Sequence, residues 1–234
     1  MVKQPYIYQS QNKGFGKRLY LSFKCGYLMS SQNIKSSLNK VAKSLAASQD
    51  SREYLLKNTR DVVILCSQSI ISAHKGDLDT AKKMAQKANR LLVTYRKKAN
   101  SELKRYLITP EQELVEASAF LAIIQNKPIP SVESLKVSNE SYVLGLMDLI
   151  GELKRYVFDN IRIGKSKEAS HIFEIMENLY LHLYPFAMYD KILKEARKKL
   201  DVNRKLVEDT RSAITEEIRR AHLISSLNKI NENS

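Results

Sequence analysis

The sequence predicts an all-α fold. Only 7 Gly and 5 Pro stand among 234 residues, too few turn-makers for a many-stranded sandwich or barrel. Apolar residues recur at three- and four-residue spacing along most of the chain from Ser31 onward. A hydrophobic content of 43% supplies a core and excludes disorder throughout. Composition divides the chain into a basic segment at 1–30, a helical domain at 31–225 and a polar tail at 226–234.

Residues 1–30 hold Lys3, Lys13, Lys17, Arg18 and Lys24 with no acid and no helical period. Two readings stay open: a flexible tail outside the folded domain, or an arm that binds nucleic acid. The first helical pattern uses Ile34, Leu38, Val41 and Leu45, then Leu55, Val62, Cys66 and Ile70. It predicts one very long helix or two, stopped at Gly76. Asp77 or Asp79 caps the next helix, whose apolar face is Ala81, Met84, Ala88, Leu91, Tyr95 and Ala99.

The opposite face of that helix carries Lys82, Lys83, Lys87, Arg90, Arg96 and Lys97. Between Lys82 and Arg105 nine basic residues face one acid, Glu102. Such an unbalanced stripe repels itself unless a polyanion lies along it, which makes it a candidate phosphate-binding surface. The formal net charge of +14 points the same way, toward an anionic partner.

Thr109-Pro110-Glu111-Gln112 reads as a helix start, with Thr109 as cap and Gln112 closing a capping box. From Leu114 to Ile124 the helix is apolar on nearly every side, which predicts burial, yet Glu113 and Glu116 sit three apart on one face. After Pro128 and Pro130, Ser138 or Asn139 opens a second greasy helix with Tyr142, Leu146, Leu149, Ile150 and Leu153. It carries Asp148 and Glu152 four apart, with Gly145 one turn earlier on that face. Gly164 ends it.

An ionised carboxylate in a dry interior costs several kcal/mol unless compensated, and like charges make matters worse. Three resolutions exist on these residues: the acids face solvent, they pair with Lys or Arg such as Lys154 and Arg155, or they share a divalent cation.

A helix at Glu168–Tyr184, broken by Pro185, and a last helix from about Met188 to about Ser225 complete the pattern. The seam of the last one is Leu193, Ala196, Leu200, Val207, Ile214, Ile218 and Ala221. Glu168-Ala-Ser-His171 spells half a di-iron motif, but no second copy exists, and His171 is expected in the core. His74, His182 and His222 show no ligand spacing. No P-loop, dinucleotide fingerprint or nucleophile elbow is present. Cys25 and Cys66 make no disulfide framework, so a reducing, cytoplasmic setting is expected, with Cys66 as inert packing. No run of residues is apolar enough to span a membrane.

The stretches Glu113-Leu-Val-Glu116-Ala-Ser-Ala-Phe120 and Tyr142-Val-Leu-Gly145-Leu-Met-Asp148-Leu-Ile-Gly-Glu152-Leu resemble the translin family. The likeness is greatest to its translin-associated factor X branch, in an archaeal-type form. His171-Ile172 and Leu200-Asp-Val-Asn-Arg-Lys-Leu-Val-Glu extend the resemblance, which runs from about Ser51 to Arg220. It implies about seven long helices that assemble into a hollow homo-oligomer, a hexamer or octamer. It also implies binding of single-stranded RNA, with single-stranded DNA as a second ligand. The same resemblance implies a metal-dependent endoribonuclease in which Glu113, Glu116, Asp148 and Glu152 hold Mg²⁺ or Mn²⁺ and do the catalysis. The alternative is a non-catalytic member that only binds nucleic acid.

Overall fold

A computed structural model describes the backbone of residues 16–232 and the side chains of residues 32–228. Lys3 and Lys13 lie outside the described residues, as do the side chains of Lys17, Arg18, Lys24 and Cys25. The described chain is all helical. It comprises α1 (Gly16–His74), α2 (Leu78–Arg96), α3 (Ile108–Ile124), the single turn α4 (Val132–Leu135), α5 (Asn139–Arg162), α6 (Ser166–Leu183) and α7 (Ala196–Glu232). Short 3-10 segments, Lys104–Leu107 and Tyr184–Tyr189, precede α3 and follow α6. None of the helices described is long and apolar enough to cross a membrane.

The chain divides into two compact units, residues up to Ser51 and residues from Arg52. In the first, Ile34, Leu38, Val41 and Leu45 are each more than half exposed, although their spacing is that of a buried stripe. In the second, Leu55, Val62, Leu65, Cys66, Ile70 and Ala73 continue the helical pattern and are buried. One apolar period thus has two fates, exposed in the first unit and buried in the second. The helix itself already begins at Gly16, within the stretch where the sequence shows no period.

The second unit is a bundle in which α5 packs against α3, α6 and α7, while α2 packs on α3. Each fully buried Leu, Ile, Met or Phe removed from water contributes roughly 1.5–3 kcal/mol, and α3 and α5 supply many of them. Phe120, Leu114, Leu149, Ile150 and Leu153 are all inaccessible, as the apolar-all-round pattern requires. The sulfur of Cys66 is likewise buried, and burial, then Glu113 and Glu116, push its thiol far up in pKa, so it stays an inert neutral group.

Local signals set most boundaries. Gly76 has φ +81° and Gly164 φ +74°, the left-handed conformation that closes α1 and α5 with least strain on glycine. Asp77 caps α2 by accepting from the Thr80 N–H at 3.1 Å, and Ser138 caps α5 through the Ser141 N–H.

Further boundaries and placements differ from the sequence expectation: the last helix runs on to Glu232 instead of ending near Ser225, and its Ile218 and Ala221 are exposed. Thr109 is not a cap: the Lys104–Leu107 3-10 turn runs directly into α3, so the helix opens at Ile108 with no side-chain cap. Pro110 still fits, since the first-turn N–H groups have no intrahelical acceptor. The last helix begins at Ala196, not near Met188, because the chain after α6 first tightens into the 3-10 segment carrying Pro185. His171 is exposed rather than in the core; α6 buries Ala169, Ile172, Phe173 and Met176, and His171 falls beside that stripe.

Candidate metal centre and nucleic-acid surface

The four acids singled out in the sequence come from two helices held unusually close. A Cβ added at Gly145 of α5 would stand 2.6 Å from the Gln112 carbonyl oxygen and 2.8 Å from the Val115 Cβ of α3. Only glycine permits this approach, and it sets the Asp148 and Glu152 turns of α5 opposite the Glu113 and Glu116 turns of α3.

The resulting electrostatics are severe. Glu116 is mostly buried and its carboxyl is pushed up to about 8, first by burial, then by repulsion from Asp148, Glu113 and Glu152, with only Lys199 pulling the other way. Glu113 is raised in the same manner by burial and by Asp148, again opposed by Lys199. No hydrogen bond contributes at either carboxylate. Four acids therefore share one region, and the repulsion among them favours keeping Glu116 protonated.

Asp148 and Glu152 have partners that the sequence did not reveal. The Lys199 ammonium, from α7, donates to Asp148 Oδ1. Asn203, one turn on, donates to the Met147 carbonyl at 2.9 Å and pins α7 against this part of α5. Glu152 Oε2 lies 2.7 Å from His74 Nε2 and 3.9 Å from an Arg155 guanidinium nitrogen. The His74 ring packs on Phe120 with centroids 4.7 Å apart. Its Nδ1 is buried without a hydrogen-bond partner, 3.5 Å from Asp159 Oδ2.

Among the described residues no three carboxylate, imidazole or thiol groups stand in a ready coordinating arrangement. Asp148 is engaged by Lys199 and Glu152 by His74. As a donor set, however, only Asp148 and Glu152 are countered, by Lys199 and by His74 with Arg155, while Glu113 and Glu116 have no ion-pair partner among the described residues. Hard anionic oxygens of this number suit Mg²⁺ or Mn²⁺ rather than a softer metal. The residues fit such a cation chemically, in competition with Lys199 for the charge of Asp148.

The basic residues of α2 divide in two. Lys82, Lys83, Lys87 and Arg90 are exposed, as is Lys97 at its end. Arg96 is largely enclosed: its Nε donates to Glu111 Oε1 at 3.0 Å, and Glu111 Oε2 accepts the Ser138 N–H at 3.0 Å. Arg96 thus joins α2 to the starts of α3 and α5, and it lines a cavity of about 500 Å³ together with Lys104, Arg105 and Lys136. Lys104 and Arg105 belong to the same basic stretch.

A family model described as the translin family matches residues 28–211. An uncharacterised protein of Methanocaldococcus jannaschii is 32% identical over 201 residues, covering 82% of this chain and 88% of that protein. Among solved structures, AfC3PO in complex with duplex RNA is 33% identical with a TM-score of 0.71, covering 80% of this chain and 98% of the other. AfC3PO alone is 34% identical with a TM-score of 0.72 over the same shares. Apo-NeC3PO, at 22% identity and a TM-score of 0.66, covers 77% of this chain and 96% of its own, and is similar in fold.

Proposed function

This chain belongs to the translin family, and from that premise we propose that it is an RNA-binding, divalent-metal-dependent endoribonuclease of the translin-associated factor X type. The observation that carries the proposal is that Glu113, Glu116, Asp148 and Glu152 come close enough across α3 and α5 for Asp148 and Glu152 to raise the carboxyls of Glu113 and Glu116. Burying them so costs stability, and a bound Mg²⁺ or Mn²⁺ offsets that cost. RNA as ligand is supported by the similar AfC3PO, which has been solved with duplex RNA. A homo-oligomer, hollow and built of six or eight subunits, is the assembly we propose. The exposed apolar stripe Ile34, Leu38, Val41 and Leu45 is consistent with contacts between chains.

When bound, the cation supplies Lewis-acid stabilisation of the phosphate and activation of the attacking water. Water adds to phosphorus and the P–O bond to the departing nucleotide breaks. Glu113 or Glu116 takes the proton lost by the water, and the leaving oxygen is protonated from solvent. Lys82, Lys83, Lys87, Arg90 and Lys97 follow the sugar-phosphate backbone by charge, so sequence preference is modest and binding falls steeply with salt. Arg96, held by Glu111, contributes to that surface by orienting the end of α2.

A second reading, a non-catalytic RNA-binding oligomer, draws on the pairing of Asp148 with Lys199 and of Glu152 with His74. One experiment separates the two. Labelled RNA, single-stranded and duplex in parallel, is incubated with the protein in Mg²⁺, in Mn²⁺ and in EDTA. We expect metal-dependent cleavage of the single strand, lost in Glu116→Gln and Asp148→Asn while salt-sensitive binding persists. Intact RNA in all metal conditions, with binding retained, selects the second reading. Charge reversal at Lys83 and Lys87 weakens RNA affinity and flattens its salt dependence; unchanged affinity removes α2 from the interface.

A further inference from the structure

Lys199 stands apart from the other cations of the molecule. Among the described residues it is the one ammonium acting on three members of the acidic quartet: it is ion-paired with Asp148 and attracts both Glu113 and Glu116. Its side chain is only 24% exposed, so it lies within the site rather than on its rim. The Asn203 bond to the Met147 carbonyl fixes the α7 turn that carries it. The other charged neighbours are placed differently: His74 and Arg155 serve Glu152, and Lys154 is turned away to Asp209 at 2.9 Å.

A divalent cation binding between α3 and α5 competes with Lys199 for the charge of Asp148, whose Oδ1 the ammonium holds. Two cations do not share one carboxylate at close range without strong mutual repulsion. The displaced ammonium keeps its charge and its tether on α7. The next anion to reach that position is the phosphate of an RNA strand laid against the site.

We propose that Lys199 is an exchangeable cation of the site, paired with Asp148 while the metal is absent and with the scissile phosphate once the metal is bound. It neutralises the carboxylates in the resting protein, and in the loaded one it contacts a non-bridging phosphate oxygen. This rests on the metal-dependent reading of the quartet, and it adds a residue contributed by a third helix to that site.

The test uses the full chain and Mn²⁺ alone as the first probe, titrated calorimetrically into wild type, Lys199→Met and Lys199→Arg. We expect Lys199→Met to bind Mn²⁺ at least about tenfold more tightly than wild type, since a competing charge is gone. Lys199→Arg, which retains the charge, stays within about threefold of wild type. Without metal, Lys199→Met melts at a lower temperature, and Mn²⁺ raises its Tm by more than it raises that of wild type. This second readout applies even where the variant is marginally folded. At saturating Mn²⁺ and RNA, kcat of Lys199→Met falls by about tenfold or more, whereas Lys199→Arg retains most of it.

Equal Mn²⁺ affinity in wild type and Lys199→Met overturns the exchange. Tighter Mn²⁺ binding with unchanged kcat overturns the contact to phosphate and therefore the proposal as stated. Absence of Mn²⁺ binding by wild type has a different meaning, since it removes the metal reading itself and with it this inference.

Discussion

Replacing Gly145 by alanine adds one methyl group at the place where α5 meets α3. That methyl would sit 2.6 Å from the Gln112 carbonyl oxygen, a backbone atom that no rotamer change can move aside. Relaxing this distance to the 3.4 Å of ordinary contact separates the two helices locally by about 0.8 Å. Overpacking of this kind costs about 1–3 kcal/mol, and the opposing gain in helix propensity is at most about 1 kcal/mol. A net loss of about 1 kcal/mol follows, or roughly 2–4 °C in Tm for a chain of this size. Gly151 provides the internal control, since a Cβ there meets nothing within 4 Å; Gly151→Ala is neutral or stabilising by up to about 1 kcal/mol. Both variants are compared with wild type by urea and thermal unfolding at matched protein concentration, and by Mn²⁺ titration. We expect Gly145→Ala alone to lose both stability and Mn²⁺ affinity, because widening the α3–α5 gap pulls Glu113 and Glu116 away from Asp148 and Glu152. A Gly145→Ala protein as stable as Gly151→Ala would refute the reasoning, since the two helices would then not be pressed together at that point.

Two further outcomes concern charge. In EDTA, Glu116 has a folded-state pKa of about 8 against an ordinary value of 4.5. The folded protein therefore holds a proton that the unfolded chain releases, and the group's contribution is most favourable below 4.5 and is lost as pH rises toward 8. Glu116→Gln removes that loss, so a plot of its Tm against pH is flatter than wild type over this window; parallel curves would contradict the assignment. Arg96→Met leaves Glu111 buried without its guanidinium and costs about 3 kcal/mol, whereas Arg96→Met with Glu111→Gln recovers most of it. Additive urea midpoints for the two single variants would show that the pair is not coupled.

The pairing of α3 and α5 shows what could be read along the chain and what could not. Glu113, Glu116, Asp148 and Glu152 were legible because each interrupts a helix that is otherwise apolar on every side. A charge in such a setting needs a reason, whatever the tertiary arrangement. Gly76 and Gly164 were legible for a similarly local reason, since a left-handed residue at the end of a helical period is most easily glycine. Thr109 misled because its capping pattern is sound in isolation, while the preceding 3-10 turn had already started the helix. His171 misled because a histidine one position from a buried stripe reads much like one within it.

Helix content, the order of elements and the oddity of four acids in greasy segments were thus determined by the amino-acid sequence alone, through periods and caps that act within a few residues. Tertiary structure decided which cations meet those acids. Lys199 lies 51 residues from Asp148, and His74 lies 78 residues from Glu152. No local pattern encodes either meeting. Both depend on how α1 and α7 settle against α5, and that is set by summed burial over the whole bundle, in which a single lysine or histidine weighs little.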